Sequence, residues 1–186
     1  ALYTADDVRN DYWGDEKLYA GYFMTELNWG ARISLNAGLR YEHEKTNYQG
    51  YGVIDVASQT DLVDTLSASK RSNKFFLPSV NLKFKYLDWA DIRLAYSKSL
   101  ARPDYYAFVP HYYADLRWSF SSTAGNTDLK PSISNNYDIT LSFYNNTVGL
   151  FTLGGFYKEI DDYYYVRNFK VIDVAEDNKI HGYEHL

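Results

Sequence analysis

The chain has 186 residues, a formal net charge of −5, no cysteine and one methionine, and 18% of it is aromatic, with 20 tyrosines. A disulfide framework and a thiolate metal site are excluded, and the acidic balance argues against nucleic acid, whose phosphates need a clustered basic surface. Mean hydropathy is negative and no apolar run approaches the roughly 20 residues of a spanning helix, yet a membrane barrel stays open because only alternate strand residues meet lipid.

The first element is a strand over Lys17–Trp29, with Tyr19, Phe23, Leu27 and Trp29 on one face and Ala20, Met24, Glu26 and Asn28 on the other. Tyr22 departs from this rule by sitting on the polar face. A turn at Trp29–Ala31 leads into a strand over Arg32–Glu44, where Ile33, Leu35, Ala37, Leu39 and Tyr41 alternate with Arg32, Ser34, Asn36, Arg40 and Glu42. A period of two marks a strand half in oil and half in water. Lys45–Ser72 is mostly polar, carries Gly50 and Gly52, and reads as a long loop with possible strand extensions.

Asn73–Leu87 resumes the alternation: Phe76, Pro78, Val80, Leu82, Phe84 and Tyr86 oppose Ser79, Asn81, Lys83 and Lys85. A tight turn at Asp88–Ala90 gives the strand Asp91–Ala101. Arg102–Ser134 is irregular and holds Pro103, Pro110 and Pro131. Strands follow at Asn135–Tyr144 and Leu150–Asp161 around a turn at Asn145–Gly149. Asp162–Asn178 extends the last strand and then loops over, and Lys179–Leu186 starts another.

Short turns at one end and long loops at the other are the pattern of a transmembrane β-barrel. The strand cores run to roughly 10–14 residues, against the roughly 9–11 needed to cross a bilayer at a tilt. Trp29 and Trp89 sit at short turns, where an aromatic girdle belongs. The fold class expected is all-β: an antiparallel up-and-down barrel segment of about six to seven strands, its short turns facing the periplasm. The sequence opens on Ala1 with no basic or apolar leader and closes within a strand. Residues 1–186 are therefore read as a partial barrel, an internal section whose outer strands need partners from further chain.

Several segments carry a family resemblance. Leu77-Pro78-Ser79-Val80-Asn81-Leu82-Lys83-Phe84-Lys85 is similar to a strand of the form LPSxNLKY, and Arg93 through Pro103 to SYSKSxARP. Gly125-Asn126, Leu129-Lys130-Pro131 and Asn136-Tyr137-Asp138 follow GNxxLKPxxSxNYD, while Gly38-Leu39-Arg40-Tyr41-Glu42 is similar to GLRYE. In order and spacing they resemble the barrel of TonB-dependent outer-membrane receptors. The resemblance implies a 22-stranded barrel in the bacterial outer membrane, an N-terminal plug, and import energised by a TonB complex. It implies contact with outer-membrane lipid and a small-molecule or glycan ligand, siderophore-iron or oligosaccharide, and no cofactor.

The candidate ligand-binding residues lie in the longest loop: Arg102, Tyr105, Tyr106, His111, Tyr112, Tyr113, Arg117 and Trp118. Flat aromatic faces with polar tips suit stacking on sugar rings or aromatic siderophores; an upper aromatic girdle is the bland alternative. Arg102 suits an anionic ligand, but the stronger reading pairs it with barrel-wall carboxylates, with Pro103 ending the ladder for want of an N–H. The inward charges Arg32, Arg40, Glu42, Lys83, Lys85, Arg93 and Asp138 read as the polar wall of a filled lumen rather than a solute path. His43, His111, His181 and His185 are too scattered for a metal site, and Asp161-Asp162 reads as a solvated turn. Neither a phosphate loop nor a nucleophile elbow is present, so enzyme activity is not expected. Alternative readings are a non-transporting outer-membrane barrel, structural or adhesive, and a soluble β-rich carbohydrate-binding domain.

Overall fold

The computed structural model describes residues 11–56, 59–115, 121–147, 149–166, 169–174 and 180–185. In chain order the elements are β1 (Tyr12–Trp29), β2 (Ile33–Val56), β3 (Gln59–Leu87), β4 (Ala90–Ala101), the short helix α1 (Tyr105–Phe108), β5 (Tyr112–Asp115), β6 (Ser121–Ala124), β7 (Ser132–Asn145), β8 (Gly149–Asp161), β9 (Phe169–Val174) and β10 (Ile180–His185). The wall is an antiparallel meander in the order β1-β2-β3-β4-β7-β8, an up-and-down barrel segment as the alternation predicts.

Register shows why the alternating faces cohere. Leu27, Leu35, Leu82, Leu94, Ile139 and Gly155 are successive partners across the six wall strands, and Ile33, Phe84, Ile92, Leu141 and Leu153 form a parallel row. A slip of one residue in any strand would turn its apolar set to the opposite face. The other parity gives the row Asn28, Ser34, Lys83, Arg93, Thr140 and Gly154, part of the polar face.

Aromatic rows bound the apolar band. Trp89, Phe143 and Phe151 touch at the short-turn end, with ring centroids 6.2 and 6.1 Å apart. At the long-loop end Tyr41 meets Phe76 at 5.0 Å, and Tyr96, Tyr137 and Tyr157 follow one another at 5.1 and 6.1 Å. Trp29 and Tyr19 stand ten residues apart on β1. That is about 33 Å of strand, or about 25 Å of height at a tilt near 40°, the height of a lipid-facing band.

Three expectations are corrected. In Lys45–Ser72 the strand extensions, not the loop, account for the described residues: β2 and β3 continue as a paired hairpin from Lys45↔Ser72 to Val56↔Gln59, with one irregularity at Gly50/Gly52. Thr46 and Tyr48 are buried while Lys45 is exposed, but the buried face itself carries polar groups, so no apolar alternation marks the segment and it reads as a loop. Arg102–Ser134 contains α1, β5 and β6, and β7 begins at Ser132. Asp162–Asn178 does not prolong β8: that strand stops at Asp161, Asp162 takes φ 54°, and β9 pairs with β10 in a separate two-stranded sheet rather than in the wall.

Candidate ligand site under the longest loop

Beyond the apolar band, β2 changes partner. β1 pairs with it up to Tyr12↔Gly50, and from Gly52 to Asp55 the same edge pairs in parallel with Tyr112–Asp115 of β5. The segment between β4 and β7 therefore crosses the polar face of β3 and β2 and joins the far edge of β2. Pro103 follows directly on the end of β4, whose ladder to β7 runs to Ala101↔Ser132. Pro78 likewise stands just past Ser79↔Ser97, where β3 and β4 part.

The crossing segment is compact because its backbone bonds close within it. Val109 donates to Tyr105 O at 2.9 Å, His111 to Val109 O at 2.8 Å, Gly125 to His111 O at 3.0 Å and Asn126 to Ala107 O at 2.8 Å. Two glycines permit the close approach. A Cβ on Gly50 would overlap the Pro110 carbonyl, and one on Gly125 would overlap the Val109 carbonyl and meet His111 Nδ1 at 3.0 Å.

Arg102 stands where this segment leaves the wall. Its Nη2 donates to Glu42 at 2.7 Å and its Nε to Glu44, while Arg40 Nε donates to the other oxygen of Glu42 at 2.7 Å. Both glutamate side chains are nearly buried, at 7 and 8% exposure. Buried carboxylates are tolerable only when paired and hydrogen-bonded, and the guanidinium fork supplies both conditions at once. At the other end of the wall Asp91 does the same with Arg93 (3.1 Å), Lys83 (3.5 Å) and the Tyr144 hydroxyl.

A cavity of about 160 Å³ opens between the upper ends of β1–β3 and this segment. Its wall side carries Glu16, Glu44, Thr46, Arg71 and Asn73, and its cover is Pro103, Tyr105, Phe108, Leu129 and Pro131, with Asp104 exposed at the rim. Tyr105 donates its hydroxyl to Glu16 at 3.0 Å, and that carboxylate holds the phenol above its ordinary pKa. Tyr48 donates to the same oxygen at 3.4 Å and packs edge-on against Phe108 at 5.1 Å.

Of the candidate residues, Arg102 and Tyr105 line this cavity. Tyr106 and His111 pack on each other instead, ring centroids 4.1 Å apart. His111 is buried; its Nδ1 lies 3.1 Å from Val109 O, and its Nε2 has no hydrogen-bond partner among the described residues. Burial pushes this imidazole below its ordinary pKa, which the bond to Val109 only partly offsets. Tyr112 and Tyr113 are half-buried on β5, and burial raises the Tyr112 phenol. Arg117 and Trp118 lie outside the described residues. The inward charges pair within the wall: Arg40 with Glu42, Lys83 and Arg93 with Asp91, and Lys85 with the turn residue Asp88 at 3.4 Å.

Sequence reasoning missed Glu16, Glu44, Thr46, Arg71, Asn73 and Phe108. Carrying the strand parity beyond Lys17 and Glu44 would have placed the first three on one face. The parity of Ser79, Asn81, Lys83 and Lys85 carried back past Asn73 would have placed Asn73 and Arg71 on the polar face as well; nothing local marks Phe108, which the crossing segment brings over them.

A family model described as TonB dependent receptor-like, beta-barrel matches residues 2–184. No curated protein matches the chain. The family is one of receptors and transporters of the bacterial outer membrane rather than of enzymes. Its match over nearly the whole length agrees with the six-stranded meander, the two aromatic rows and the polar inner face. The chain belongs to the TonB-dependent receptor-like β-barrel family.

Proposed function

We propose that this chain is part of the wall of an outer-membrane receptor that imports a scarce nutrient, siderophore-iron or oligosaccharide, by TonB-driven transport. The observation that carries the reading is the cavity on the polar face, roofed by the crossing segment at the end where ligand arrives from outside. Arg102 and Tyr105 hold the cavity's shape; Tyr106, His111, Tyr112 and Tyr113 belong to the same segment and present ligand-facing or supporting surface, and Arg117 and Trp118, outside the described residues, follow them in the chain as further ligand candidates. The wall lies in outer-membrane lipid, further chain supplies the strands beside β1 and β8 and the plug, and a TonB complex acts through that plug.

The test is uptake in cells carrying the full-length receptor, comparing labelled siderophores with labelled glycans, with and without a working TonB complex. Receptor-dependent uptake that stops without TonB is expected. Uptake of neither class, or uptake indifferent to TonB, overturns the reading. Replacing Tyr112, Tyr113 and Trp118 together by alanine is expected to weaken binding of the imported ligand about tenfold or more while insertion is retained; unchanged affinity removes these three from the site.

A further inference from the structure

The charges in the cavity do not all cancel. Glu16 of β1 faces Thr46 of β2, and Thr46 faces Arg71 of β3. An anion and a cation therefore stand in one cross-strand row, two strand spacings or about 10 Å apart, with only a threonine between. Extended side chains could close that gap, but both are turned away. Glu16 accepts from the Tyr105 and Tyr48 hydroxyls at 3.0 and 3.4 Å, and Arg71 donates to the Leu129 carbonyl. Among the described residues neither forms an ion pair, whereas Arg102 and Glu44 in the same cavity neutralise each other.

We propose that this cavity binds a small zwitterion, its ammonium on Glu16 and its carboxylate on Arg71, with a compact apolar frame against Phe108. A guanidinium that, among the described residues, donates only to the Leu129 carbonyl matches a carboxylate fork, and the Tyr105 ring beside Glu16 adds an attractive face for an ammonium. The pair is neutral as a whole, so a ligand carrying both charges engages both groups, while a singly charged one engages only one of them and leaves the other, the exposed Glu16 or the half-buried Arg71, to water. At about 160 Å³ the space resembles the roughly 150 Å³ that admits benzene. It fits a molecule the size of an amino acid, or the zwitterionic end of a larger cargo.

The inference rests on the reading that this end of the wall receives solute. Its test is calorimetric titration of the purified full-length receptor with leucine and with two single-charge analogues, 4-methylpentanoate and 3-methylbutylamine. Leucine is expected to bind at least tenfold more tightly than either. Glu16→Gln and Arg71→Gln are each expected to weaken leucine tenfold or more, with 3-methylbutylamine indifferent to Arg71→Gln. Equal affinity for the three compounds on the unmodified receptor, or no leucine binding at millimolar concentration, overturns the proposal without recourse to a variant. Receptor-dependent siderophore or glycan uptake alongside absent leucine binding would reject the zwitterion and leave transport standing. Leucine binding without any uptake would do the reverse.

Discussion

The apolar band and the crossing segment bury opposite kinds of residue. In the band Phe23, Phe76 and Leu153 keep 71, 60 and 59% of their surface exposed, while near the crossing segment Glu42 keeps 5%. In a water-soluble domain this would be an inverted protein. Here the band's solvent is lipid, so exposure of phenylalanine and leucine is the favourable state, and cross-strand hydrogen bonds rather than an apolar core hold the strands together. Beyond the band water returns, and closure there is achieved by ion pairs, tyrosine hydroxyls and a small conventional core of Val53, Val109 and Ala114. Each region is therefore vulnerable to a different kind of substitution.

The largest contrast is expected between adjacent residues of β4. Leu94→Arg puts a charge on the lipid face and should cost about 2–4 kcal/mol of barrel stability, whereas Ala95→Arg, on the polar face, should cost less than about 0.5 kcal/mol. Denaturant unfolding of the full-length receptor in lipid vesicles checks both, and similar costs would mean that the faces have been assigned wrongly. Arg102→Met leaves the Glu42 and Glu44 carboxylates without their shared fork. A loss of about 2–3 kcal/mol is expected, short of the ~3–5 kcal/mol of a fully buried pair because the guanidinium is 35% exposed. The same measurement reads it, and a loss under about 0.5 kcal/mol would show that the pairs add nothing.

The smallest effect is expected at His111. Its folded-state pKa lies below the ordinary value near 6.5, so the opened segment takes up a proton before the closed one. Closure is then at full strength above about pH 7 and weakens as pH falls through 6.5 toward the depressed value. The protection factors of β5, exchange rates corrected for the intrinsic pH dependence of amide exchange, should fall over that interval in the unmodified receptor and not in His111→Phe, while those of β4 stay constant. An identical pH response in both proteins would place the titrating group elsewhere.

The wall was legible because lipid on one side and water on the other write a period of two into every strand, from Ile33–Tyr41 to Phe151–Tyr157. Its short turns were legible too, since Gly30 and Gly149 take φ 59° and 95° and stand where the alternation pauses. Where the buried face of a strand is itself polar, as at Glu44, Thr46 and Tyr48, the signal vanishes, and Lys45–Ser72 passes for a loop although its described residues are paired almost throughout. The site was half legible. Arg102 and the tyrosines announce themselves by composition, but Glu16, Thr46 and Arg71 become one row only through two registers joining residues 55 positions apart. Local pattern carries no record of such pairing.

The handover on the edge of β2 has a mechanical meaning. The segment that leaves β4 at Arg102 fastens to Glu42 and Glu44, reaches Glu16 through Tyr105, and ends in a ladder on Gly52–Asp55. It spans from one staves' end to another, like the chord of an arc, and its length sets how sharply β1 to β4 can bend. Lengthening it between Pro103 and Tyr112 would relax the arc and widen the mouth, so the segment that roofs the cavity also gauges the bore of the barrel beneath it.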